Sequence, residues 1–220
     1  LAHPPFGLLF PGLLAYPALL ILGDRAGSVH AAFWRGWLAG FAYFFIGCWW
    51  VAEAFLVNPD QAWMAPFAAC LLPAGMGLFW GAALALFRRL RRPGLARVAL
   101  FAGLFCLFEW LRGWMLTGFP WNPAGASWAA GSAASQAAAL VGVYGLSLIT
   151  VLGTAALAPS AERRDRKAII VAGAGLALIA VTIVGGAVRL SRAEASDTDT
   201  VIRIVQANIE QQAKWTPENF

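Results

Sequence analysis

Glu109 and Arg112 stand three positions apart in the stretch EWLRGWMLTGFPWN (109–122), inside sequence that is otherwise largely apolar. On a helix this spacing puts both side chains on one face, where a carboxylate and a guanidinium can pair. Such a pair has two uses: it staples a helix in place, or it binds the polar head of a substrate. Leaving either charge unpaired at the centre of a bilayer costs roughly 3 kcal/mol, so pairing lowers the cost of keeping them there. Glu53, in CWWVAEAFL, is a third ionisable residue expected at a similar depth, and the three together predict a polar patch. Nucleophilic chemistry has only Cys48, Cys70 and Cys106 to draw on. Each sits singly in an apolar run, without CxxC spacing and with no His or Lys nearby, and reads as a small packing side chain.

The elements that must position these residues are membrane helices. Of the 220 residues 60% are hydrophobic and 12% are charged, about half the charged fraction of a soluble domain. Six apolar segments, roughly 6–22, 36–57, 66–87, 96–115, 137–157 and 168–188, each approach the ~20 residues that a spanning helix needs. Unpaired backbone groups are not tolerated in lipid, so the fold class predicted is an α-helical transmembrane bundle with six spans. The net charge of +5 does not point to nucleic acid. Its sources cluster between the spans: Arg25 and Arg35, then Arg88 to Arg97, then Arg163 to Lys167. The intervening connections, around Asn58–Asp60 and across 117–136, hold no Lys or Arg. Basic loops stay in the cytoplasm, so the other loops, and everything after the sixth span, face outward.

On that outer side lie Trp49, Trp50, Trp63, Trp110, Trp114, Trp121 and Trp128, against Trp34 and Trp37 on the inner side. A symmetric interfacial belt does not require that imbalance. A surface that holds lipid headgroups and upper acyl chains does. Thr117, Gly118, Pro120, Asn122 and Pro123 are turn formers that shape a fixed outer loop. Gly36 and Gly40 form a GxxxG for close helix approach, and Gly173 to Gly175 give a second small face.

Residues 1–190 thus read as the transmembrane domain and 191–200, SRAEASDTDT, as a polar linker. Val201 to Val205 has the β-branched character of a strand, and Thr216, Pro217 and Glu218 supply the cap, N1 proline and first-turn acid of a helix start. Residues 201–220 are therefore expected to open an α/β domain that the sequence does not complete, and the chain to be a piece cut at both ends.

Two motifs, EWLRGWMLTGFPW (109–121) and IRIVQANIEQQAKW (202–215), resemble the apolipoprotein N-acyltransferases of bacterial inner membranes. The resemblance covers nearly the whole chain and implies a helical bundle carrying a nitrilase-like αββα domain in the periplasm. It implies an enzyme that moves an acyl chain from a phospholipid, through a thioester, to the N-terminal amine of a diacylglyceryl-cysteine apolipoprotein. The family's Glu–Lys–Cys triad would lie beyond Phe220, so the 220 residues hold no catalytic residue and should be inactive alone. Trp215 and Trp121 align with tryptophans that contact substrate in the family, and Glu109 and Arg112 join them as substrate-binding candidates. No cofactor or metal is implied; the partners are a phospholipid donor, an apolipoprotein acceptor and the membrane, not nucleic acid. A transporter lined by Glu53, Glu109 and Arg112 is the main alternative, but it predicts an inverted repeat and charges spread through the membrane depth. No repeat is visible, and the charges gather toward one face. A triad-less scaffold or a related nitrilase-type acyltransferase also fits the opening of the second domain.

Overall fold

The structure, a computed structural model, describes residues 2–3, 6–94, 96–194, 199–206 and 208. These residues form α1 (Leu9–Asp24), α2 (Val29–Cys48), α3 (Ala65–Arg89), α4 (Ala96–Trp114), α5 (Ala138–Ala155), the short α6 (Ala158–Glu162) and α7 (Arg166–Ser191). Two 3-10 stretches, Trp49–Phe55 and Pro59–Met64, join α2 to α3. Two of the helices, α2 and α7, begin at side-chain caps. The Ser28 Oγ accepts from the Ala31 N–H at 3.0 Å, and Asp165 Oδ1 accepts from the Ala168 N–H at 2.8 Å, each satisfying a donor that has no partner within its helix.

Among the described residues, five helical stretches are long and apolar enough to cross a membrane: Val29–Phe55, Pro59–Arg89, Ala96–Thr117, Ala134–Glu162 and Arg166–Ser191. The expected count of six is not met. The first apolar segment yields only the 16 residues of α1, about 24 Å at 1.5 Å per residue, short of the ~30 Å hydrocarbon core. Gly7 sits in the left-handed region at φ +63°, and Pro11 falls inside the first turn, so helix begins at Leu9 and not at Phe6.

Close backbone approach fixes the α2–α3 pair. A Cβ on Gly36 would lie 2.5 Å from the Trp80 carbonyl oxygen, and one on Gly77 would lie 2.9 Å from that of Trp37. The GxxxG of α2 thus meets a second one, Gly77 to Gly81, on α3. Aromatic side chains fill the centre: Phe44, Trp80, Phe87, Phe101 and Phe105 are buried there with Tyr16 from α1. By contrast, Ile169, Ile170, Leu176, Val181, Val184 and Val188 of α7 are all exposed, as suits a helix that presents apolar surface to lipid.

The three basic segments meet at one end of the bundle. There Asp24 pairs with Arg97 at 2.5 Å and with Arg91 at 2.9 Å, while Glu162 pairs with Arg97 and, at 3.3 Å, with Arg25. At the opposite end lie the α2–α3 turns and the long connection from α4 to α5. The chain leaves α7 at that end too, where Arg189 hydrogen-bonds Gln136.

Residues 201–206 form no strand, and no β-strand occurs among the described residues. Val201, Ile202, Ile204 and Val205 are exposed. A strand is made by the partner it pairs with, and β-branched composition alone supplies none. Trp215 and the expected helix start at Thr216–Glu218 lie outside the described residues.

Candidate functional site

The site is the connection between α4 and α5, and α4 sets its root. Glu109 and Arg112 are each 1% exposed. The guanidinium grips the carboxylate twice, Nη2 to Oε2 at 3.0 Å and Nε to Oε1 at 3.2 Å. The Trp80 indole N–H donates to the same Oε1 at 2.8 Å. The guanidinium carbon lies 4.7 Å from the centre of the Phe44 ring, a cation–π contact. Its remaining arm, Nη1, donates to the Phe119 carbonyl. In return the Phe119 N–H donates to the Arg112 carbonyl at 3.0 Å, so one residue of α4 holds both backbone groups of one loop residue.

Two further helices hold the rest of the loop. From α2, the Tyr43 hydroxyl donates to the Asn122 carbonyl at 2.8 Å, leaving its lone pair to His3 Nε2 at 2.5 Å. The Asn122 amide donates to the Gly47 carbonyl at 3.3 Å. From α5, the Ser147 Oγ accepts the Gly125 N–H and the Thr150 Oγ1 accepts the Trp128 indole N–H, both at 2.8 Å. The segment 124–128 therefore runs back down into the bundle. Non-helical backbone at this depth is tolerated because protein surrounds it. A Cβ on Gly125 would lie 2.5 Å from the Val143 carbonyl oxygen, so only glycine allows the approach.

Between these anchors the tip projects outward. Leu116, Thr117 and Gly118 are successively left-handed at φ 53°, 74° and 78°, a conformation that L-residues avoid and a β-branched threonine most of all. Leu116 is 87% exposed, Trp114 70% and Trp121 49%. Trp121 meets the Phe119 ring edge-on at 5.9 Å. The result is a fixed apolar tip on a buried ionic root.

The expected patch of three ionisable residues divides. Glu109 and Arg112 come together, but they are sealed inside the bundle, whereas Glu53 lies exposed in the first 3-10 stretch. No hydrogen bond or ion pair joins Glu53 to the other two among the described residues. Trp128, expected on the rim, is partly buried against α5. Sequence reasoning missed Trp80, Tyr43, Asn122 and the Ser147–Thr150 face as anchors. Trp80 did carry a signal: a mid-helix indole N–H in an apolar run needs an acceptor, and Glu109 is the one it finds.

As chemistry, this site can grip and orient, not react. Cys48 and Cys106 are buried and Cys70 is exposed, and no cluster of three or more metal-ligating side chains occurs among the described residues. Residues 1–156 match the model of the apolipoprotein N-acyltransferase N-terminal domain. The chain belongs to the apolipoprotein N-acyltransferase family. It is 50% identical over 224 residues to a Caulobacter vibrioides protein named apolipoprotein N-acyltransferase, an alignment covering 100% of this chain and 42% of that one. Proteins of the same name from Allorhizobium ampelinum and Brucella melitensis are 38% and 37% identical, with 97% and 98% of this chain and 42% of each relative covered. The chain thus spans 42% of the length of these N-acyltransferase relatives. Within the family match falls the whole clamped loop, with Glu109, Arg112 and Trp121.

Proposed function

We propose that the chain is the membrane-embedded part of a bacterial inner-membrane enzyme that acylates the N-terminus of lipoproteins. In this reading a thiolate attacks a phospholipid ester, releasing a lysophospholipid and forming a thioester. The α-amine of a diacylglyceryl-cysteine then displaces the thiol and keeps the acyl chain as an amide. A neighbouring base activates the thiol, and a cation stabilises the oxyanion. The reading assigns the Glu–Lys–Cys triad to sequence after Phe220, within a nitrilase-like domain that 201–220 would open and 191–200 would tether.

The observation that carries the proposal is the rigid, tryptophan-rich loop at the end of the bundle from which the chain leaves α7. A globular domain following Ser191 would sit over that loop. The absence of Lys and Arg from 117–136 supports a periplasmic side for this end under the positive-inside rule. Trp121 and the exposed Leu116 would then present apolar surface to the acyl chains of donor and acceptor, and Trp215 would approach from above. Glu109 and Arg112 would act as positioning residues, setting the loop without touching substrate. The test is the full-length protein in phospholipid nanodiscs with a synthetic diacylated lipopeptide. Mass spectrometry should show the lipopeptide heavier by one acyl group, and an unchanged mass with folded protein rejects the reading.

A further inference from the structure

At the arginine-rich end of the bundle, opposite the clamped loop, the structure holds a cavity of about 940 Å³. Seven cationic and three acidic side chains line it, an excess of four positive charges. The acids are already engaged. Asp24 and Glu162 take Arg97, Arg91 and Arg25 as ion-pair partners, and Asp165 caps α7. Arg92, Arg163 and Lys167 line the same cavity, exposed and with no acidic partner among the described residues.

The positive-inside rule explains why these charges are on this side of the membrane, but it asks only that they be in the loops. Here they converge on a walled space. Its inner wall is the fixed Asp24–Arg97–Glu162 network, and its edge includes the N-terminus of α7, capped by Asp165. Guanidinium forks match phosphate oxygens. The elements that bound the cavity also expose Leu22, Leu90, Ile169 and Ile170, apolar surface that a free phosphate does not use and acyl chains do.

We propose that this cavity binds the phosphate headgroup of an anionic glycerophospholipid of the inner leaflet, with Arg92, Arg163 and Lys167 as its charge partners. The proposal rests on the membrane-spanning fold and stands apart from the acyl-transfer reading, whose loop is at the other end. It is tested on purified full-length protein by native mass spectrometry after equilibration with equimolar phosphatidylglycerol and phosphatidylethanolamine. The unmodified protein should retain phosphatidylglycerol in excess. Each basic residue near an anionic surface is worth about fivefold in binding, so the triple variant R92Q/R163Q/K167Q should lose on the order of 100-fold at low salt. Arg192→Gln, at the opposite end, should lose none. The triple variant leaves the buried network intact; should it fail to fold, Arg92→Gln and Lys167→Gln singly should each lose about fivefold. Equal retention of the two lipids, or an undiminished preference in the variants, overturns the proposal. Displacement of the lipid by millimolar glycerol 3-phosphate or inorganic phosphate overturns the choice of a lipid over a soluble anion.

Discussion

Replacing Arg112 with leucine should destabilise the bundle and free the loop, and the two effects can be separated. Arg112 and Glu109 are both 1% exposed, so the single variant Arg112→Leu leaves a buried carboxylate with only the Trp80 indole for a partner. Removing one member of a buried ion pair costs about 3–5 kcal/mol. Arg112→Leu combined with Glu109→Gln removes that uncompensated charge and keeps an acceptor for Trp80, so most of the lost stability should return. The loop should not recover, because neither variant restores the donor to the Phe119 carbonyl. A hydrogen bond to a charged group contributes about 1.5–3 kcal/mol; at 1.36 kcal/mol per tenfold, residues 115–122 should open roughly 10- to 100-fold more often. Hydrogen exchange read by mass spectrometry in nanodiscs follows those amides, and thermal unfolding follows the bundle. The reasoning is refuted if the double variant unfolds as early as the single one, or if exchange across 115–122 stays at its original rate in both.

Other perturbations bear on separate links. On the acyl-transfer function proposed above, Trp121→Ala should reduce transfer by the full-length protein at least severalfold with little change in melting temperature, because the side chain is half-exposed; a large melting shift would make its role structural. Trp128→Ala should do the reverse to stability, removing the bond to Thr150 and partly buried aromatic area, at about 3 kcal/mol. Gly36→Val should separate α2 from α3, since its Cβ would lie 2.5 Å from the Trp80 carbonyl oxygen; melting in detergent should fall by several degrees, and an unchanged melt would contradict the close packing. Arg97→Gln should remove the one residue that pairs with both Asp24 and Glu162, and a melting loss larger than that of Arg91→Gln checks that Arg97 is the central member of the network.

Much of the bundle was legible because its signals are local or periodic. Span length, the clustering of arginines and the GxxxG at Gly36–Gly40 all survive in the structure, and the three basic segments do share one end. What failed was set by single residues or by distant partners. The first span is short because Gly7 and Pro11 delay the helix, which an apolar count over 6–22 does not register. Glu53 looked equivalent to Glu109 by depth, yet it lies in a 3-10 stretch whose different rotation per residue turns it outward. The pairing of Glu109 with Arg112 was readable at i,i+3 spacing. Its closure by Trp80, Phe44 and Phe119 was not, because those partners are brought in by three other segments. Val201–Val205 has strand composition without a strand, since pairing is a property of two segments and the described residues offer only one.

The strain in the loop tip and the bonds at its base are of the same size, and this says how the tip is used. Leu116 and Thr117 in left-handed backbone cost together about 2–6 kcal/mol. The charged bond from Arg112, with the four neutral bonds at Phe119, Asn122 and Gly125, contributes about 3.5–9 kcal/mol. Without the anchors the chain has every reason to relax, since a relaxed backbone would also let Leu116 fold down onto the bundle and leave water. With them, Leu116 and Trp121 are held outward at a cost the local sequence would not accept alone. Apolar side chains held out in this way are prepared for an apolar ligand before it arrives, which reduces the ordering entropy that binding would otherwise oppose. An ionic root suits this task better than a greasy one. Leucines at 109 and 112 would pack as well, but they offer no directed donor to Phe119, and the direction of that bond is what sets where the tip points.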